Sequence, residues 1–254
     1  MVLAFVHLQD DGGSLRLLYG DIDANSRELD RFWGEVRELR ERHGKPVIVS
    51  VGGQSSDGDW RLVEEHTDVA VDLLTRLVTG HKLDGVDLDM ESAFHDATVE
   101  LTNRLANAMP DLTITHAPPW RDVRDRYASP YGSKRPILER TASASRPSGN
   151  NIDWLNVQFY DKGQVADPLA AYESLVNGDA ARGRTPVPPG MMSLGLMPRS
   201  DREVLETLGP TVDRLARTYP DFAGVFAWRH STASKTVWPS RIAEALWGWT
   251  TPDG

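Results

Sequence analysis

The 254-residue chain contains no cysteine, no long apolar run and no excess of basic residues. The absence of cysteine excludes disulfide bonds, thiolate catalysis and zinc–thiolate sites. No apolar run approaches the roughly 20 residues needed to span a bilayer, so we expect no membrane partner. The net charge of −9 argues against a nucleic-acid partner, because such a partner selects a basic surface. The seven histidines show no ligand spacing, and we expect neither a metal site nor a cofactor.

Apolar segments alternate with helix-like segments along the whole chain, which is typical of βαβ units and a parallel sheet. We predict an α/β fold of the (β/α)8 barrel type, as a single domain over residues 1–254. Only seven strands are recognisable, so we expect the first strand of the barrel to be missing from the given sequence. A doubly wound sheet is the alternative, but the turn after the first strand, Gln9–Gly13, is acidic and unsuited to phosphate. The predicted strands are Val2–Leu8, Pro46–Val51, Leu83–Glu91, Leu112–Ala117, Ile152–Tyr160, Met191–Met197 and Phe222–Trp228.

Helices are predicted near residues 26–43, 60–79, 93–109, 137–141, 168–176, 202–218 and 241–249. The first strand reads as buried on both faces because it is apolar throughout. Residues 120–151 are rich in charged residues, serine, proline and glycine, which indicates a long excursion from the repeating pattern. We expect His116 to be a hydrogen-bonded barrel residue and not a catalyst.

The segment from Leu83 to Glu91 carries the strongest functional signal. Its acidic residues, Asp87, Asp89 and Glu91, alternate with apolar ones, so in a strand the three carboxylates share one face. Three adjacent acids on a solvated face would repel one another without gain. The alternative places them in the mouth of a barrel, where close carboxylates cannot all ionise and at least one keeps a proton. A Mg²⁺ or Ca²⁺ site would use the same oxygen ligands.

Several motifs resemble those of the family 18 glycoside hydrolases, the chitinases and endo-β-N-acetylglucosaminidases. Asp84–Glu91 matches the family's D-G-x-D-x-D-x-E strand at every fixed position, and Ser50–Gly53 matches its S-x-G-G motif. Val157–Tyr160 resembles the Q-F-Y strand of plant-type, hevamine-like chitinases. Thr115–Pro118 is similar to their T-A-A-P segment, and Gly224–Trp228 to their last strand. The motifs follow the family's order.

The resemblance implies a retaining mechanism in which the substrate assists its own hydrolysis. The acetamido oxygen of the sugar attacks the anomeric carbon, and an oxazolinium intermediate forms. Glu91 would then donate a proton to the leaving oxygen. Asp89 would hold the acetamido N–H and share a proton with Asp87, as a coupled system.

The resemblance also implies roles for polar and aromatic residues later in the chain. The Tyr160 hydroxyl would fix the acetamido oxygen, Trp228 would form the apolar floor under the ring, and Gln158 would add a polar contact. Tyr160 is thus a candidate catalytic residue, and Asp161 next to it joins Gln158 and Trp228 as a candidate substrate-binding residue. Trp120 is either a further sugar platform or a hydrophobic lid.

The expected substrate is chitin or another β-1,4-linked N-acetylglucosamine oligosaccharide. Two alternatives stay open, an endo-β-N-acetylglucosaminidase acting on N-glycan cores and a non-catalytic chitin-binding lectin. The resemblance implies a secreted protein, although the first residues lack the features of a signal peptide. We also expect a monomer. An upstream segment carrying the first strand, and a signal peptide with it, is our hypothesis for both absences.

Overall fold

The computed structural model describes residues 1–160, 165–229 and 233–247. The chain divides into two compact units. Unit 1 comprises Met1–Ala117 and Ile137–Asp153, and unit 2 comprises Pro118–Pro136 and Trp154–Gly254. Strands alternate with helices in both units, as the sequence pattern predicts, and all seven predicted strands are present.

Unit 1 contains six strands in the order β3-β2-β1-β4-β5-β6. Neighbours among β1, β4, β5 and β6 pair in parallel, whereas β2 and β3 pair antiparallel. Apolar side chains from one face of the parallel strands pack into a core with the helices, and Val6, Val49 and Val86 are fully buried there. The strands are β1 Val2–Asp10, β2 Leu15–Tyr19, β3 Ile22–Asp23, β4 Ile48–Gly52, β5 Gly85–Asp89 and β6 Thr113–His116.

The hairpin of β2 and β3 was not predicted, and it changes the surroundings expected for β1. The half of β1 that runs from Val6 to Asp10 pairs with β2, so this edge is not left unpaired. The prediction that β1 is buried on both faces is wrong, since only Val6 and Leu8 are buried. The turn depends on Gly12 and Gly13, both at positive φ, and on the Asp10 carboxylate, which accepts a hydrogen bond from the Gly13 amide at 2.7 Å.

The helices of unit 1 begin and end close to their predicted bounds, with one exception. Ser26 caps a short 3-10 turn before α1, and Gly44 ends α1 in the left-handed conformation. The helix predicted over residues 60–79 is two helices, because His66 adopts a non-helical conformation between them. The helices are α1 Asp30–His43, α2 Asp57–Glu65, α3 Thr67–His81, α4 His95–Ala108 and α6 Ile137–Arg140, with α5 belonging to unit 2.

The described residues of unit 2 form three parallel strands in the order β7-β8-β9, accompanied by helices. Asp167 caps α7 through a 2.9 Å hydrogen bond from the Ala170 amide. The helix predicted over residues 202–218 is interrupted by a π-helical turn just before Pro210, which has no N–H for the α-helical ladder. The elements are β7 Trp154–Gln158, β8 Met192–Leu196, β9 Val225–Ala227, α5 Trp120–Asp122, α7 Pro168–Asn177, α8 Asp201–Glu203, α9 Gly209–Thr218 and α10 Trp238–Trp247.

Candidate active site

The acidic motif follows β5 and continues past its end. Asp87 and Asp89 are each only 2% exposed, on the opposite face of the strand from the fully buried Val86 and Leu88. The predicted alternation is therefore present over β5. Glu91 lies two residues beyond the strand and is half-buried. The segment thus holds two buried carboxyl groups on one face and leads to a third that solvent reaches.

Hydroxyl groups from the two neighbouring strands position Asp87. Ser50 on β4 donates to one carboxylate oxygen at 2.7 Å, and Thr115 on β6 donates to the other at 2.5 Å. The register explains this convergence, because Asp87 is paired with Ser50 on one side and with Thr115 on the other. Neither hydroxyl was predicted to have a role, although Ser50 lies in the S-x-G-G motif and Thr115 in the segment similar to T-A-A-P.

The two glycines of the S-x-G-G motif allow β4 to approach the acidic strand closely. Gly52 and Gly53 have φ of +105° and +93°, a region that residues with a side chain rarely adopt. A methyl carbon at Gly52 would lie 3.0 Å from Trp60 Nε1 and closer still to the Asp89 carbonyl oxygen. The Gly53 amide donates to that same carbonyl at 2.9 Å. The backbone of Asp89 is therefore fixed by a turn that only glycine fits.

The first acid of the motif, Asp84, has a structural role. It accepts two hydrogen bonds from the Arg40 guanidinium, at 2.7 and 2.6 Å, and one from the Val47 amide at 2.8 Å. The hydrogen bond from Arg40 holds the pKa of Asp84 below its ordinary value. Asp84 therefore ties the start of β5 to α1 and to the segment before β4.

His116 lies in β6 and is fully buried, with Nε2 2.8 Å from the Thr102 hydroxyl. Burial lowers the pKa of His116 to about 3, so the ring is neutral at physiological pH. The prediction of a hydrogen-bonded residue of the strand layer is confirmed.

Unit 2 places three of the predicted site residues, the catalytic candidate Tyr160 and the substrate-binding candidates Gln158 and Trp228, at or just beyond the ends of its strands. Gln158 is the last residue of β7 and is 3% exposed, and its backbone N–H donates to the Pro118 carbonyl at 2.9 Å. The Tyr160 ring lies 5.9 Å from the Trp228 ring and packs edge-on against Phe226. Trp228 follows β9 and is half-buried. Tyr160 and Trp228 thus form an aromatic pair.

Trp120 begins α5 and is half-buried, with two cations against its ring. The Arg124 guanidinium carbon lies 5.0 Å from the ring centroid and that of Arg121 lies 5.9 Å away, both within cation–π range. Asp125 in turn pairs with Arg124. Asp161, the remaining predicted substrate-binding residue, lies outside the described residues.

The described part of the chain offers no group of three or more His, Cys, Asp or Glu side chains placed to hold a metal ion. None of the helices in that part is long and apolar enough to cross a membrane.

Comparison with known proteins gives strong likeness in structure and little in sequence. Neither a protein-family model nor a curated protein matches the chain. A chitinase from Aspergillus fumigatus shares 26% identity over 90% of this chain and 80% of its own, with a TM-score of 0.64. A fungal endo-β-N-acetylglucosaminidase of family 18 shares 21% identity over 98% of this chain and 87% of its own, with a TM-score of 0.68. A family 18 chitinase from Pseudoalteromonas aurantia shares 21% identity over 96% of this chain and 91% of its own, with a TM-score of 0.67.

The chain therefore has the fold of the family 18 glycoside hydrolases. This confirms the predicted α/β fold of the (β/α)8 type and the resemblance first seen in the motifs. In unit 1, the antiparallel strand β2 pairs with β1 on the side away from β4. This is the side on which a parallel first strand of the barrel was expected.

Proposed function

We propose that this chain is a glycoside hydrolase that cleaves β-1,4-linked N-acetylglucosamine oligosaccharides such as chitin, with retention of configuration. The observation that carries the proposal is the acidic segment itself. Two carboxyl groups buried on one face of β5 lead to a half-buried glutamate just beyond the strand. The likeness to solved chitinases and to a solved endo-β-N-acetylglucosaminidase supports the same chemistry.

In the proposed reaction Glu91 is the general acid that protonates the leaving glycosidic oxygen. The acetamido oxygen of the sugar attacks the anomeric carbon, the glycosidic bond breaks, and an oxazolinium ion forms. Water, deprotonated by Glu91 in its second role as base, then opens this ion and restores the acid. The half-buried position of Glu91 suits a group that must exchange protons with substrate and water.

Asp89 is proposed to hold the acetamido N–H, and Asp87 to support Asp89 from within the strand. Asp87 is suited to a fixed role because two hydroxyl groups hold its carboxylate. On unit 2, Tyr160 is proposed to hydrogen-bond the acetamido oxygen and Trp228 to lie under the sugar ring. A sugar that stacks on a flat indole face contacts it through the apolar C–H surface of the sugar ring.

Gln158 is proposed to contact the sugar beside Tyr160, and Asp161 keeps its assignment as a substrate-binding residue. The Arg124 guanidinium lies against the Trp120 ring, so less of the ring face is free for a sugar than if no side chain covered it. We further propose that residues 1–254 act as one catalytic domain and that the protein is a secreted monomer.

Hydrolysis of chitin oligosaccharides by wild type and by Glu91→Gln tests the proposal. We expect the variant to lose about 10²- to 10⁴-fold in kcat and to retain oligosaccharide binding, since the amide keeps the shape but cannot donate the proton. Glu64→Gln on the exposed surface of α2 is the matched control and should behave as wild type.

The second candidate function, release of N-glycans by an endo-β-N-acetylglucosaminidase, is favoured by the likeness to the fungal enzyme. A high-mannose glycopeptide assayed in parallel distinguishes the two substrates. If wild type and Glu91→Gln bind the oligosaccharides with equal affinity and neither hydrolyses them, the proposal of an enzyme is refuted and the protein is a lectin.

A further inference from the structure

A histidine–aspartate pair lies in unit 1, with its histidine on a strand separated from the acidic strand by β4, and the reaction proposed above does not use it. His7 on β1 and Asp59 in the first turn of α2 are joined by a 2.7 Å contact between Nδ1 and Oδ2. The Asp59 side chain is 14% exposed and that of His7 is 38% exposed. The pair thus consists of a largely buried carboxylate and an imidazole that solvent reaches.

The hydrogen bond to Asp59 determines which ring nitrogen of neutral His7 is left as an acceptor. The Asp59 carboxylate can only accept a hydrogen bond, so in the neutral imidazole the proton lies on Nδ1 and is donated to Asp59. Nε2 then presents a lone pair, and no residue in the described part of the chain hydrogen-bonds to it. This arrangement orients an imidazole towards a ligand that can donate a hydrogen bond.

His7 lies on the same face of the sheet as the buried carboxylates. Val6 and Leu8 point into the core, so His7 between them points to the opposite face. On β5, Leu88 points into the core in the same way, and Asp87 and Asp89 point to the opposite face.

The strand register also places His7 close to the level of Asp89. Val6 pairs with Val51 on β4, and the next residue of β4, Gly52, pairs with Asp89 on β5. His7 and Asp89 are thus separated by two strand spacings, about 10 Å between backbones. A glycine occupies the position between them, and a short oligosaccharide can bridge this separation.

We propose that His7, oriented by Asp59, is a substrate-binding residue that accepts a hydrogen bond through Nε2 from a hydroxyl or acetamido N–H of the bound oligosaccharide. It holds a sugar unit adjacent to the one held by Asp89. This inference rests on the proposed function, because it takes the acidic segment as the place where the oligosaccharide binds.

Two substitutions separate this role from a purely structural one. The Asn amide in His7→Asn reproduces Nδ1 and keeps the hydrogen bond to Asp59, but it has nothing at the position of Nε2. The longer Gln side chain in His7→Gln reproduces Nε2 and gives up the bond to Asp59. A substrate-binding role predicts a KM about 3- to 10-fold higher for His7→Asn with kcat and Tm preserved, and a smaller rise for His7→Gln. A purely structural pair predicts an unchanged KM for both variants and a lower Tm for His7→Gln, which gives up the bond to Asp59, than for His7→Asn, which keeps it.

Steady-state kinetics on chitin oligosaccharides, with Tm measured for each variant, performs the test. His66→Gln, an exposed histidine beyond the far end of α2, is the control and should match wild type. If wild type turns over and His7→Asn has an unchanged KM, the inference about His7 is overturned and the proposed function stands. If folded wild type neither binds nor cleaves these oligosaccharides, both are overturned.

Discussion

Gly85, the glycine of the D-G-x-D motif, gives a prediction that tests how tightly β5 is held. The residue starts β5 opposite Thr113 on β6 and Ile48 on β4. A methyl carbon at this position would lie 2.8 Å from Ile48 Cγ2 and closer still to the Thr113 carbonyl oxygen. The Thr113 oxygen belongs to the backbone of a paired strand, so no change of rotamer can relieve the contact.

The expected cost of Gly85→Ala follows from this geometry. Overpacking a close-packed interior costs typically 1–3 kcal/mol, and we expect about 3 kcal/mol here because both neighbouring strands must shift. For a chain of this length that lowers Tm by about 6 °C. Since Asp87 lies two residues along the same strand, the displacement should also lower hydrolytic activity.

The assay is thermal unfolding of Gly85→Ala and of Gly34→Ala, each compared with wild type. Gly34 lies inside α1 with open space around the position of a methyl group, so alanine should stabilise that helix by about 0.5–1 kcal/mol. Opposite changes in Tm for the two variants are expected. A Gly85→Ala variant that unfolds within about 1 °C of wild type would refute the argument.

Two further predictions concern the polar contacts that hold the acidic strand. Asp84→Asn should lower the free energy of unfolding at pH 7 by about 1–3 kcal/mol by weakening the bonds from Arg40. The hydrogen bond from Arg40 lowers the pKa of Asp84. The stabilisation of the folded state by ionised Asp84 is therefore fully present above the unfolded-state pKa near 3.9, and it is lost as the pH falls through the folded-state pKa. Denaturation followed from pH 7 to pH 3 should therefore give a flatter curve for the variant, and parallel curves would contradict this assignment. Ser50→Ala removes a donor to the buried Asp87 and should cost about 1–3 kcal/mol in urea unfolding, whereas an unchanged midpoint would show that this hydroxyl does not support the carboxylate.

The sequence by itself determined the features that depend on residues near one another in the chain. The alternation of acidic and apolar residues placed Asp87 and Asp89 on one face of β5, because the side-chain period of a strand is two. Ser26 and Gly44 marked the ends of the first helical segment by their capping chemistry. The order of the motifs identified the fold, which the solved structures confirm despite low sequence identity.

Only the tertiary structure decided which residues meet across the strands. The hydroxyl partners of Asp87 come from residues 37 and 28 positions away, and the partner of His7 lies 52 positions along the chain. The pairing of β1 with β2 was likewise missed, although the glycine turn that makes it possible is visible in the sequence. The physical reason is that strand register is a non-local property. It is set by the packing of whole helices and strands, and a shift of one residue would exchange the two faces of the sheet.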